Sequence, residues 1–172
     1  MLGLGVGGTV SDVTTGEAMH FNLDFGEFAS HAKFVAIDDA TSAYIEPVEA
    51  EISLLDMHTG NCTRTPLNNP EVFRIKSDYR ATGSGLSGHA TGIVVMDATS
   101  SNGVVYCALT GFKKEDGLPI VVVEPRTSRT TLLRAPLNGR DFPASIAVNA
   151  GRLYLLTTTG IVSVYTLPQR YP

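Results

Sequence analysis

Apolar and polar residues alternate in short stretches of this chain, and no segment combines a helical spacing with helix caps. Met19, Phe21 and Leu23 alternate with the polar residues His20 and Asn22. Further short runs rich in Val, Ile and Leu lie at 52–55, 93–96, 120–123 and 146–148. A period of two places alternate side chains on opposite faces of a strand. The pattern therefore predicts an all-β chain.

A turn motif of the form Asp-x-x-Thr-Gly recurs after or between these runs. It occurs at 12–16 and 56–60, and a looser copy, Glu-Pro-Arg-Thr-Ser, occupies 124–128. The acid can accept hydrogen bonds from nearby backbone amides, and Gly adopts the positive φ that tight turns require. We expect a hairpin tip at each copy.

Two other similarities suggest a repeat of about four strands. Residues 103–106 and 151–154 both begin with Gly and end with Tyr, and 41–44 is a weaker copy. His31 pairs with His89 at an offset of 58, an offset that 39–42 and 97–100 share. With the strands labelled A to D, the repeat predicts a single β domain over 1–172. Its pieces are strands C and D at about 1–24, full units at 31–67 and 89–134, and strands A to C at 145–167.

The repeats resemble the blades of β-propeller families. The stretch 143–148, followed by 151–155, is similar to YVTN- and NHL-type repeats. The turn 56–60 resembles that of quinoprotein-like blades, and Gly88-His89-Ala90 resembles kelch repeats. The chain has no Trp, so the Trp-bearing signatures of WD40, kelch and quinoprotein repeats are absent. The resemblance implies propeller blades without indicating one family.

The strand count predicts about three blades, whereas propellers close with about four to eight. The chain is then an incomplete ring or a fragment, and a protein partner or a second copy would complete the ring. The alternative fold is a β-sandwich.

Charge is unevenly distributed along the 172 residues. Residues 1–60 contain ten acids and one base (−9), and 61–172 contain seven acids and twelve bases (+5), which sum to the net charge of −4. This asymmetry is either uneven solvation of two surfaces or a sign that acidic and basic ends meet. The bases are dispersed along the chain, which argues against nucleic-acid binding.

Other classes of protein are disfavoured by features that the sequence lacks. No apolar run is long enough for a membrane span, and the start shows no signal peptide, so we expect a soluble protein and favour an intracellular location. Cys62 and Cys107 have no metal spacing and are too few for a disulfide framework.

Residues that could carry chemistry have simpler structural interpretations. The histidines lie on a polar strand face, at a hairpin tip, or at matching repeat positions. The acids Glu46, Glu49 and Glu51 alternate with apolar residues, as on a solvent-facing edge. The Gly-rich stretch 83–88 lacks the Lys-Ser/Thr ending of a phosphate-binding loop. We therefore predict no catalytic residue, no metal site and no cofactor.

Two long connections are the predicted binding site. They are basic and contain aromatic residues, a composition suited to an acidic partner, although unselected insertions would look the same. The candidate residues are Phe73, Arg74, Lys76, Tyr79, Arg80, Phe112, Lys113 and Lys114. The leading hypothesis is a non-catalytic propeller module for protein–protein interaction or assembly. The alternatives are a propeller enzyme of the lactonase or quinoprotein kind, with its site in the central channel, and a structural subunit of a large complex.

Overall fold

Antiparallel strands account for most of the residues that the computed structural model describes, which are 6–11, 15–16, 18–23, 33–46, 51–66, 95–109, 117–137 and 143–168. Within these ranges there is no helix, so the all-β prediction is confirmed. The strands are β1 (Val6–Ser11), β2 (Ala18–Leu23), β3 (Lys33–Ala36), β4 (Thr41–Glu46), β5 (Glu51–Asp56), β6 (Cys62–Pro66), β7 (Val95–Ser101), β8 (Val104–Leu109), β9 (Leu118–Glu124), β10 (Arg129–Ala135), β11 (Pro143–Asn149), β12 (Arg152–Thr157) and β13 (Val162–Thr166).

The strands form four sheets in which neighbours along the chain pair in sequence order. Sheet I contains β1 and β2, sheet II β3 to β6, sheet III β7 to β10, and sheet IV β11 to β13. The first strands of sheets II, III and IV lie next to one another, since β7 contacts both β3 and β11. The division of the whole chain into one domain with these pieces stays a prediction.

The hairpins between third and fourth strands form as their sequences predict. The Asp56 carboxylate accepts hydrogen bonds from the backbone N–H groups of His58 (2.8 Å) and Thr59 (3.0 Å), and Gly60 has a φ of +72°. In the looser copy, Thr127 donates its backbone N–H to the Glu124 carbonyl at 3.1 Å. Ser128 there takes the positive φ, +56°, that Gly60 takes in the other turn.

The hairpins between first and second strands explain the Gly-to-Tyr repeat. Asn102-Gly103 and Ala150-Gly151 are two-residue turns in which both residues have positive φ. Such turns match the twist of the strands that they join. The strands that follow, β8 and β12, therefore occupy equivalent places in successive sheets.

Sheet III is buried on both faces. Val105 and Cys107 pack in one cluster with Val35 and Ile45 of sheet II. The alternate residues of β8 and β9 pack in a second cluster against sheet IV; the members of this second cluster from sheets III and IV are Tyr106, Ala108, Leu118, Ile120, Val122, Ala135, Ile146, Leu153, Leu155 and Leu167. Sheets II, III and IV are therefore stacked in that order, with sheet III in the middle.

Two sequence similarities do not correspond to equivalent positions. Asp39 lies in the bend between β3 and β4, whereas Asp97 lies within the first strand β7, so the offset of 58 is not the structural repeat. His31 and His89 lie outside the described residues. Tyr44 is in a second strand, like Tyr106, but its ring contacts Phe34 on the face of sheet II that points away from sheet III.

Candidate functional site

The eight candidate binding residues predicted from the sequence lie in 67–94 and 110–116, outside the described residues. The strands that these connections join are described. β6 ends at Pro66 and β7 begins at Val95, while β8 ends at Leu109 and β9 begins at Leu118. In an antiparallel meander these four strand ends belong to one edge of the stack, because each strand reverses the direction of the one before it. The binding role of the eight residues stays a prediction.

Sheet IV exposes an apolar face. Leu156, Val162 and Val164 have 40%, 58% and 53% of their surface exposed. Their neighbours on this face are Tyr154, which is half-buried, and Ala147, which is exposed. We call these five residues the outer face of sheet IV.

The outer face follows from the alternation of residues in β12 and β13. Leu153 and Leu155 point toward sheet III and are almost completely buried, so Tyr154 and Leu156 point the other way. Val164 lies opposite Tyr154 in the register, and Val162 lies opposite Leu156. The corresponding face of sheet II is covered by sheet III, and that of sheet III by sheet IV. No further sheet among the described residues covers the outer face of sheet IV.

Sheet IV also has an open edge along β13. Thr157 donates its backbone N–H to the Ile161 carbonyl, and Leu167 donates its own to the Gly151 carbonyl, both at 2.9 Å. Hydrogen-bonded pairs alternate with non-bonded pairs in antiparallel strands. The backbone groups of Val162, Val164 and Thr166 therefore point away from β12. Within the described ranges no strand pairs with this side, whereas sheets II and III have a fourth strand there.

Four titratable groups among the described residues have environments with a structural explanation. Hydrogen bonds from the backbone N–H of Ala40 lower the pKa of Asp38, and those from His58 and Thr59 lower the pKa of Asp56. Arg126 forms an ion pair with Asp38 between sheets III and II (3.6 Å). Burial raises the pKa of the Cys107 thiol to about 12, which leaves it protonated at neutral pH.

The described residues contain neither a cluster of metal-binding side chains nor a membrane-spanning helix. Among the described residues, no three His, Cys, Asp or Glu side chains are grouped so that they could hold a metal ion. In the same ranges, no helix has the length and apolar character needed to cross a bilayer.

Comparison with known proteins identifies the fold and not the family. The chain matches no protein-family model and no curated protein. It is similar to the crystal structure of the computationally designed Ika4 protein, with a TM-score of 0.51 and 15% identity over 93% of this chain and 79% of that one. YCF48 bound to D1 peptide gives a TM-score of 0.50 and 8% identity over 84% of this chain and 41% of that one. A streptogramin B lyase structure gives a TM-score of 0.42 and 18% identity, and the match covers 95% of this chain and 48% of that one.

The sheets are β-propeller blades. The chain spans less than half the length of YCF48 and of the lyase, which are propeller proteins. The similarity to the Ika4 and YCF48 structures, at 15% and 8% identity, shows the fold alone.

The outer face of sheet IV was not among the residues predicted to bind. Its sequence signal is the strand Val162-Ser163-Val164-Tyr165-Thr166, which alternates and contains no charge. Alternation alone gives no sign of which face a neighbouring blade covers, because a blade in the middle of a stack is apolar on both faces.

Proposed function

We propose that this chain is a non-catalytic propeller module for protein–protein interaction or assembly, and that the outer face of sheet IV makes the contact. The observation that carries the proposal is the exposure of Leu156, Val162 and Val164 on one face of one sheet. Contiguous apolar patches of this kind mark interaction sites on soluble proteins, whereas single exposed apolar residues do not.

The composition of this face supports a protein partner. The two covered junctions of the stack consist almost entirely of aliphatic and small residues, and the outer face of sheet IV has the same character. Fully burying one aliphatic side chain contributes roughly 1.5–3 kcal/mol. Since these three are about half exposed, covering them gives about 1 kcal/mol each. Another sheet or an apolar protein surface is the partner that this face fits.

A photo-cross-linking amino acid at Val162 tests the proposal. In extracts of the organism that encodes the chain, we expect illumination to produce a covalent adduct of discrete mass, which mass spectrometry identifies as a protein or as a second copy. The matched control is the same amino acid at His58, which is exposed at a hairpin tip of sheet II. The proposal fails if position 162 gives no adduct, or if position 58 gives the same adducts.

A further inference from the structure

The edge strand β13 differs from the last strands of sheets II and III in lacking the features that prevent pairing. β6 contains Arg64 and Pro66, and β10 contains Arg129 and Arg134. Charged residues and proline on an edge discourage pairing with another chain. β13 has neither, although within the described residues it is the outermost strand of sheet IV.

The position of Pro66 shows how β6 avoids pairing. Asp56 donates its backbone N–H to the Asn61 carbonyl at 2.9 Å, so the alternation of bonded pairs turns Cys62, Arg64 and residue 66 away from β5. Proline at that last position has no N–H to offer another strand. In β13 all three outward positions carry an N–H, and the first residue without one is Pro168, beyond the strand.

We infer that β13 pairs with β13 of a second copy of this chain, an inference that goes beyond the proposed function because it uses the edge of sheet IV and leaves the outer face free for the proposed contact. Antiparallel strands related by a two-fold axis offer each other the same groups. With the axis at Val164, the bonded pairs are Val162 with Thr166 of the other copy, Val164 with itself, and Thr166 with Val162. This register uses every outward backbone group of the five-residue strand, and a shift by two residues in either direction leaves some of them unpaired.

Pairing also brings the exposed valines together. Val162 and Val164 point to the outer face, where residues directly opposite each other on paired strands lie about 5 Å apart between Cβ atoms. Val164 therefore contacts its own counterpart, and no charge on β13 opposes the contact. Two three-stranded sheets become one six-stranded sheet whose two apolar faces are continuous.

Sedimentation equilibrium between about 1 and 200 μM tests this pairing. We expect the wild type to be a dimer in the upper part of this range. Val164→Pro removes an N–H that points to the open edge without removing a bond to β12, and it should raise the dissociation constant about tenfold or more. The matched control is Arg64→Pro, which removes an outward N–H from β6. It should leave the dimer intact, and the far-ultraviolet circular dichroism of both variants should remain that of the wild type.

Charge pairing at the two-fold axis is the second measurement. Val164→Lys and Val164→Glu place like charges opposite each other, so each variant alone should be monomeric. An equal mixture places Lys opposite Glu and should recover the dimer. Recovery on mixing requires residue 164 of one copy to face residue 164 of the other, which a loss of folding cannot imitate.

Three outcomes overturn the inference. A wild type that is monomeric at 200 μM shows that a second copy is not the partner, while the cross-link at position 162 still decides the proposed function. A dimer that survives Val164→Pro but dissociates in Leu156→Lys shows that the copies pack face to face, which supports the proposed function. A Lys and Glu mixture that stays monomeric excludes the Val164 axis.

Discussion

The carboxylate of Asp97 connects the first strands of two neighbouring blades, sheets III and IV. Oδ2 of Asp97 in β7 accepts hydrogen bonds from the Ser145 hydroxyl (2.7 Å) and the Ile146 backbone N–H (2.8 Å), both in β11. Oδ1 accepts one from the N–H of Ala98 at 3.0 Å. Hydrogen bonds to a charged group are stronger than neutral ones, and their loss leaves partly buried donors without an acceptor.

Asp97→Ala should lower the free energy of unfolding by about 2 kcal/mol, because hydrogen bonds between sheets III and IV are lost. Urea denaturation measures the change. The control is Asp39→Ala, since Asp39 matches Asp97 in the sequence but is exposed in a bend of sheet II. We expect its effect to stay within about 0.5 kcal/mol. Equal effects of the two variants would contradict the structural assignment of Asp97.

The two cysteines should react differently with thiol reagents. Cys62 is exposed, whereas Cys107 is buried between sheets II and III and its pKa is raised to about 12 by burial. At pH 8 a chromogenic disulfide should modify one thiol in the native protein and two in urea, because only the thiolate reacts. In Cys62→Ser the native protein should give none, and a rapid reaction of that variant would show that Cys107 is accessible.

The same pKa shift predicts a loss of stability in base. The folded pKa of Cys107 lies above the ordinary value of 9.0, so the unfolded chain releases the proton first. The contribution of Cys107 is complete below pH 9 and is lost progressively as the pH rises toward about 12.

At the scale of elements, turn chemistry was more predictable than strand equivalence. The Asp-x-x-Thr-Gly motif identified the hairpin at Asp56 because its acid and glycine each perform a local task. The turn between β12 and β13 lies within the predicted strands A to C, but its spacing differs from that of the motif and its capping residue is Thr157. Its hydroxyl accepts the N–H of Ile161 at 3.2 Å, and Gly160 has a φ of +82°. The similarity between 39–42 and 97–100 does not include a turn interaction that both segments share, and the two segments occupy different places in their blades.

Two glycines of similar backbone conformation should differ in their tolerance of a side chain. Gly160 and Gly117 have φ of +82° and +74°. A Cβ at 160 meets nothing within 4 Å, whereas one at 117 lies 2.9 Å from the Ala135 carbonyl oxygen. Gly160→Ala should cost about 1–2 kcal/mol through backbone strain alone. Gly117→Ala should cost more, because β10 must also move. Thermal or urea unfolding of both variants decides it, and equal costs would mean that the backbone near Ala135 adjusts freely.

At the scale of the whole molecule, the sequence predicted blades but not what each blade covers. Sheet III and sheet IV have similar second strands, each begun by a two-residue turn and each containing Tyr at the third position. Their surroundings differ because, among the described residues, sheet III packs against a sheet on both sides and sheet IV against a sheet on one side. Whether a sheet face is covered depends on the order of the sheets in the stack, and the sequence of one strand does not contain that order. For this reason the exposed valines of β13 could not be distinguished from buried ones by their pattern.

Replacing the equivalent tyrosines Tyr106 and Tyr154 tests whether the blade face that carries each of them is covered by another sheet. If sequence position decided their contribution, replacing either by Ala would cost the same. Tyr106 is completely buried between sheets III and IV, so Tyr106→Ala should leave a cavity and lower the free energy of unfolding by about 3–5 kcal/mol. Tyr154 is half-buried on the outer face of sheet IV, and Tyr154→Ala should cost about 1 kcal/mol. Urea unfolding at low micromolar concentration, where the outer face has no partner, measures both. Equal costs would show that another part of the chain covers sheet IV, and would remove the surface on which the proposed assembly depends.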